Sequence, residues 1–445
     1  MDRGGAHRRG IPVLKDLLMT LVVLSAFLAV LEGGLRFFGV KNDASLYRLD
    51  ADLGYVLRPN AAGWSVKERE RYERINSAGL RDREHARARP AGVIRIALVG
   101  DSFAEAKQVD LDAAYWAVLE RELNRRLAPR RVEVINFGVA GYGIGQEYEV
   151  IERKIWDFDP QIVLLTGTLH SLILKSSRSF SAPSRAEGPV PFFELRDGRL
   201  ELDAISRRER AAFVAPSVWD DRVAELTNAS RLLSLLNAAR RRLSSLTLSE
   251  AAGALVHSSR AAAPRGDGAE DEAHALENLA LRGPVTPELE RAFAVCEALI
   301  EHARDTVAQH HAEFWFVLLD MAPQIDPDAR RRARTAAALG VGDLWVGDRA
   351  LLEFARRAQI EHAFLAPAML RYAEAHQTVL HGFPHHPRNT GHWNELGHTL
   401  AGELIAAVLA SCSPTLSGQS PAALAAASGC KDDAVLSNTL NSSTS

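Results

Sequence analysis

The chain has 445 residues, enough for one large α/β domain with insertions or for more than one domain. Its 53 Lys and Arg against 56 Asp and Glu leave a formal net charge of -3, which argues against a dedicated nucleic-acid binder and for a small-molecule or glycan substrate. Three cysteines cannot build a disulfide framework: Cys412 and Cys430 are close enough in sequence to pair in an oxidising compartment, and Cys296, on an apolar helical stretch, reads as a buried inert thiol.

In chain order, the first element is the uncharged run Leu17 to Leu31, preceded by Arg3, Arg8, Arg9 and Lys15. This pattern reads as a signal anchor over residues 1–40. A cleaved signal peptide is the rival, but the run ends in Glu32-Gly33-Gly34-Leu35-Arg36 with no small-x-small site, and apolar residues resume at Phe37-Phe38. To span a bilayer the helix recruits Ile11 to Leu14 or Leu35 to Val40, with Lys15 snorkelling. Arg36, Lys41 and Arg48 on the far side leave a modest positive-inside bias, which places the body outside the cytoplasm.

Residues 41–90 form a polar, extended lead, with turn signals at Arg58-Pro59-Asn60 and in the loop Asn76 to Asp82; it is expected to wrap a domain rather than form one. The body, residues 91–411, starts with a buried strand at Ile94 to Val99. Asp112 then opens a helix with Tyr115, Leu119, Leu123 and Leu127 on one face, closed by Pro129. A strand at Val132 to Ile135, a helix at Gln146 to Trp156 and a strand at Ile162 to Leu165 complete a βαβαβ unit. An insertion over 176–285 follows, helix-rich around Leu232 to Leu246 and expected to be mobile from Ala251 to Asp271. Thr286-Pro287 caps a helix through Leu289, Phe293 and Ile300. Then come a strand at Phe314 to Leu319, a helix at Asp348 to Ala358, a strand at Ile360 to Leu365 and a closing helix at Leu396 to Leu409. Residues 412–445, rich in Ser, Ala and Thr, are expected to be a disordered tail. Trp315 and Phe316 read as core, and no internal repeat is present. About five apolar strands alternating with helices predict an α/β three-layer, flavodoxin-like sandwich: a parallel sheet covered on both faces, with its site beyond the carboxyl ends of the strands.

Three chemistry-bearing segments fall at that edge. Gly100-Asp101-Ser102-Phe103 presents a hydroxyl directly after the first strand; alone, the tripeptide is a turn plus a helix cap. Asn136-Phe137-Gly138-Val139-Ala140-Gly141-Tyr142-Gly143 follows the second strand, and its glycines allow close approach of a ligand or merely a tight turn. Gly391-His392-Trp393-Asn394-Glu395-Leu396-Gly397-His398 puts an imidazole ahead of the closing helix, and a neutral histidine is the usual acceptor of a serine proton.

Together these segments resemble the first, second and fifth sequence blocks of the SGNH (GDSL) hydrolases, and the longer runs Gly100 to Ala106 and Gly391 to His398 resemble a membrane-anchored bacterial branch of that family. The resemblance covers roughly residues 76–175 and 286–410. It implies Ser102 as nucleophile, His392 as base, and an oxyanion hole from the Ser102 N–H, the Gly141 N–H and a third-block asparagine. The chain departs from the pattern twice. The third block, Thr166-Gly167-Thr168-Leu169-His170-Ser171, lacks the asparagine; Thr168, His170 and Ser171 are the candidate replacements, with His170 preferred. The family's triad acid stands three residues before the histidine, and that position is Asn389.

The expected function is that of a membrane-anchored serine esterase acting on acyl esters, with O-acyl groups of an envelope glycan implied by the resemblance. An O-acyltransferase of the same fold and a catalytically degenerate glycan-binding scaffold are the alternatives. A flavodoxin-like nucleotide binder is disfavoured because no phosphate loop follows the first strand. No cofactor is expected. The histidines His376, His381, His385, His386, His392 and His398 invite a metal reading, but most lie in a Pro-rich loop rather than on rigid elements.

Overall fold

The computed structural model describes residues 10–41, 43–66, 68–181, 188–240, 277–384 and 389–419. Helix α1 (Gly10–Phe37) opens the chain, and within it Lys15–Phe37 is long and apolar enough to cross a membrane. Its large apolar side chains, Leu17 to Phe37, lie exposed instead of packing on the body.

The lead is not simply extended. It folds into two antiparallel hairpins, β1 (Tyr47–Asp50) with β2 (Gly54–Leu57) and β3 (Ala62–Ser65) with β4 (Arg71–Arg74). These ride on the body because Leu46, Leu53, Leu57, Ile75 and Leu80 bury in the same cluster as Ala97 and Val99. Arg81 then seals the junction. It is buried, paired with Glu73 at 2.6 Å, and donates to the Glu105 and Val109 carbonyls at 3.0 and 2.8 Å.

The body follows as β5 (Val93–Gly100), the one-turn α2 (Ser102–Glu105), α3 (Tyr115–Arg126), β6 (Arg131–Asn136), α4 (Ile144–Arg153), β7 (Ile162–Gly167) and α5 (Leu169–Ile173). The described part of the insertion holds a hairpin, β8 (Phe193–Arg196) with β9 (Arg199–Leu202), then α6 (Ala204–Ala211), α7 (Val218–Ala229) and helical residues 231–240. The chain returns through α8 (Pro287–Gln309), β10 (Glu313–Leu318), α9 (Ala329–Leu339), α10 (Val346–Arg357), β11 (His362–Phe364), α11 (Ala366–His376) and α12 (Glu395–Cys412).

Strands β5, β6, β7, β10 and β11 form one parallel sheet in the order β11-β10-β7-β5-β6. Counted in chain order this is the doubly wound 2-1-3-4-5 arrangement, whose switch point lies between β5 and β7. The apolar runs are continuous because both faces are covered. Ala97, Val99, Val163, Leu165, Phe316 and Leu318 face one cluster with α4, α5, α8 and α10, whereas Ile96, Leu98, Ile162, Leu164, Trp315 and Val317 face the other with α3, α11 and α12. The three-layer α/β sandwich expected from the sequence is the observed fold, and Trp315 and Phe316 are core.

The structure departs from the expected elements in several places. The α3 helix begins at Tyr115 rather than Asp112, after a separate short turn at Leu111–Ala113. Helices α6, α7, α9 and α11 and the hairpins were not anticipated. The tail is ordered through its first residues: Ser413 caps a turn at Pro414–Ser417, its hydroxyl donates to Glu313 at 2.8 Å, and Leu416 is fully buried. Complete burial of one leucine stabilises by about 1.5–3 kcal/mol, enough to hold a short segment that composition alone assigns to disorder. Cys296 is buried, and burial pushes its thiol pKa up, as for an inert core thiol. Cys430, most of the tail, the stretch Ala251 to Asp271, His385 and His386 lie outside the described residues.

Candidate active site

The turn carrying Ser102 is built from its own sequence. The Asp101 carboxylate accepts the Phe103 N–H at 2.8 Å, and Ala106 ends the single helical turn in the left-handed region. The turn is then clamped from outside. Trp116 Nε1 and Asn136 Nδ2 both donate to the Ala104 carbonyl, at 3.0 and 2.9 Å, and Arg81 holds the Glu105 carbonyl. The buried Glu105 carboxylate accepts the Tyr47 hydroxyl at 2.8 Å and the Ala140 N–H, which ties the lead, the serine turn and the second glycine loop together.

His392 reaches the serine from the loop before α12. Its Nε2 is 2.7 Å from Ser102 Oγ. Its Nδ1 is 2.7 Å from Glu68 Oε1, and its backbone N–H donates to Glu68 Oε2 at 3.3 Å. With a carboxylate at Nδ1, the neutral ring carries its proton there and leaves Nε2 to accept from the serine hydroxyl. Glu68 lies in the loop between β3 and β4, in the left-handed region at φ 60°, and both it and His392 expose only 20% of their side chains. The arginines that follow it in the hairpin are paired in turn, Arg69 with Glu395 and Arg71 with Asp110. Gly391, at φ 71°, has no side chain where a Cβ would stand 2.9 Å from Glu68 Oε2, so glycine is what lets the carboxylate approach.

Asn389, the position aligned with the family's acid, points elsewhere. Its amide donates to the Ala322 carbonyl at 2.9 Å and to Asp326 at 3.0 Å, and Glu68 occupies the place beside Nδ1 that the resemblance assigns to Asn389. The correction has a geometric cause: at φ 59°, Asn389 sits in a turn whose side chain pins the segment after β10.

A second polar cluster braces the histidine loop. Asp320, fully buried after β10, is 2.6 Å from His381 Nε2 and accepts Trp393 Nε1 at 3.1 Å, while His381 Nδ1 is 2.8 Å from the Gly391 carbonyl. The residues flanking His392 are thus anchored to one carboxylate. Asn394 caps α12 by accepting the Gly397 N–H at 3.0 Å. His398 is buried in α12, where burial above all, reinforced by His392 and Arg81, depresses its pKa to about 3.

Ser102, His392, Glu68 and His170 border one cavity of about 470 Å³, with Phe103, Met321 and Pro323 on its apolar side. His170 stands in the first turn of α5, capped by Thr168; burial, then Lys175, lowers its pKa, and its Nδ1 has no partner among the described residues. Gly141 lines the adjacent cavity. Its φ is 88°, a Cβ there would strike the Tyr55 hydroxyl, and its carbonyl accepts Lys175 Nζ at 2.8 Å, a lysine that borders the Ser102 cavity.

Sequence reasoning missed Glu68. It stands in the charged run from Glu68 to Arg71, a pattern indistinguishable from a solvated loop, and 324 residues separate it from His392.

No protein-family model matches the sequence, and no curated protein matches it. Among solved structures the chain is similar to an α/β hydrolase enzyme from the metagenome of Lake Arreo, Spain, at 13% identity and a TM-score of 0.33, over 70% of this chain and 94% of that one. It is similar to a putative lipolytic protein of the G-D-S-L family from Desulfitobacterium hafniense, at 10% identity and a TM-score of 0.30, over 70% and 97%. It is also similar to an acetylxylan esterase from Geobacillus stearothermophilus, solved as a catalytic mutant, at 9% identity and a TM-score of 0.34, over 70% and 93%.

Proposed function

We propose that the protein is a serine esterase of the SGNH type, acting on acyl esters through Ser102, His392 and Glu68. The observation that carries this reading is the unbroken relay from Glu68 Oε1 to His392 Nδ1 and from His392 Nε2 to Ser102 Oγ, each 2.7 Å, opening on a cavity. In this mechanism Ser102 Oγ attacks the ester carbonyl carbon as its proton passes to His392 Nε2. Glu68 steadies the resulting imidazolium, the alcohol leaves with the proton from His392, and water, deprotonated in turn by His392, releases the acid and restores the serine. For the oxyanion we propose the Ser102 N–H, the Gly141 N–H and His170, the last because it borders the Ser102 cavity where the sequence pattern lacks its asparagine.

The degenerate-scaffold alternative rested on two missing polar residues, the triad acid and the third-block asparagine; Glu68 supplies a carboxylate beside His392 in place of the first. The apolar α1 supports a membrane tether; the placement of the body outside the cytoplasm and O-acylated envelope glycan as the substrate class are proposals that rest on the flanking charges and the sequence resemblance. Hydrolysis of short p-nitrophenyl esters by the full chain in detergent tests the activity: wild type is expected to turn over and Ser102→Ala to lose the activity while staying folded. Activity within tenfold of wild type in Ser102→Ala would exclude the serine as nucleophile.

A further inference from the structure

Helix α7 is amphipathic in the inverted sense. The side that faces the protein is polar: Asp221 pairs with Arg58, Asn228 accepts the Ser45 N–H at 2.7 Å, and Ala224 is the one buried apolar residue, while Asp220, Arg222 and Glu225 stay exposed. Its outward face is apolar, with Val218 and Trp219 each 72% exposed, Val223 59% and Leu226 62%. Rows 218-222-226 and 219-223 are neighbours on a helix, so these side chains form one stripe opposite Ala224. A helix packed on a water-soluble body shows the reverse arrangement.

The position of α7 is set by α1. Arg36, in the last turn of α1, donates to the Ala229 carbonyl at the end of α7 at 2.7 Å. One turn earlier, Glu32 accepts from the Ser230 hydroxyl and from the Arg231 and Leu232 N–H groups, each at 3.0 Å, capping the helical residues 231–240. Arg36 and Glu32 also pair with each other at 2.8 Å. Large apolar side chains are exposed on both sides of this clamp: Phe37 and Phe38 at the end of α1 are more than four-fifths exposed, and Leu233 and Leu236 are exposed in the helical residues after α7. Arg222 lies over the Trp219 ring at 5.7 Å. A tryptophan, phenylalanines and aliphatics, with an arginine among them whose long side chain can reach the headgroups, is a composition suited to a helix lying in a membrane interface.

We propose that α7, with Phe37 and Phe38, lies on the surface of the same bilayer that α1 spans, so that the insertion seats the body against the membrane instead of letting it swing on a tether. This rests on the reading of α1 as a membrane span. The partner is the lipid surface itself, because the Arg36 contact to the Ala229 carbonyl sets the end of the striped helix beside the exposed apolar end of the spanning helix.

The full chain, reconstituted in phosphatidylcholine nanodiscs, tests it by tryptophan emission with and without dibrominated phosphatidylcholine. Brominated lipid is expected to quench the wild type, and Trp219→Phe to lose most of that quenching. A second variant, Val223→Asp with Leu226→Asp, is expected to lose it while keeping Trp219. Equal quenching in wild type and Trp219→Phe overturns the proposal. Carbonate extraction separates the two readings: chain retained in the membrane without Trp219-dependent quenching overturns the docking of α7 alone, whereas chain released by carbonate overturns the span and the docking with it. A dimer in the nanodisc that Val223→Asp with Leu226→Asp dissociates, with no quenching of Trp219, assigns the stripe to a second copy and overturns the lipid assignment.

Discussion

Glu68 and His392 meet at 2.7 Å although 324 residues separate them, and the carboxylate takes both the ring Nδ1–H and the backbone N–H of the histidine. One residue thereby sets the tautomer and the position of the ring together. The lead segment is therefore part of the site rather than a spacer between helix and domain.

Glu68→Gln keeps the shape and removes the charge. Replacing the acid of a serine triad by its amide costs about ten-thousandfold in turnover, and a loss of that order is expected here in kcat for a short acyl ester. Asn389→Asp is expected to change the rate little, because its side chain faces Ala322 and Asp326. A gain of tenfold or more in Asn389→Asp would return the acid role to that position.

Gly391→Ala tests how closely the carboxylate must approach. The added Cβ would stand 2.9 Å from Glu68 Oε2, in a backbone conformation of φ 71° that alanine resists. Turnover should fall by roughly tenfold or more, with a loss of about 1 kcal/mol in stability from the backbone alone. Unchanged kcat would show that Glu68 adapts freely.

Most of the frame was legible in the chain. The strand at Ile94 to Val99 is β5, the apolar runs at Val132, Ile162 and Phe314 are β6, β7 and β10, and the segments with Ser102 and His392 stand at the carboxyl edge because each follows its strand or precedes its helix. Local pattern carries such information: a run of buried aliphatics needs no partner to be recognised. Glu68 had no such signal, since its role comes from a tertiary contact made by a charged hairpin loop. Asn389 was misassigned for the converse reason, as sequence spacing placed it but the turn at Asn389 aims its side chain away from the ring. The inverted face of α7 was equally invisible, because an apolar stripe reads as core until the side it faces is known.

Asp320 should prove structural. Asp320→Ala leaves the His381 and Trp393 donors buried without their acceptor, and each buried donor left unsatisfied costs about 1–3 kcal/mol. Urea denaturation should show that loss, with Asp320→Asn less affected. A midpoint for Asp320→Ala equal to wild type would mean that water or another group replaces the carboxylate.

His398 predicts an acid sensitivity. Unfolded, it binds a proton near its ordinary 6.5; folded, only near 3, so between those values the unfolded state carries more protons and stability falls as pH drops through the window. His398→Gln should flatten the decline between about pH 6.5 and 4 measured by urea denaturation. An equally steep decline in the variant would place the acid lability in other groups.

The central claim is that Ser102 is an activated nucleophile, and mapping the adduct of a fluorophosphonate on the full-length protein tests it most directly. Peptide mass spectrometry should find the phosphonyl group on Ser102, with labelling of Glu68→Gln slowed by orders of magnitude and none on that peptide in Ser102→Ala. Folded wild-type protein with no adduct at Ser102, under conditions that label a control serine esterase to completion, would contradict the account.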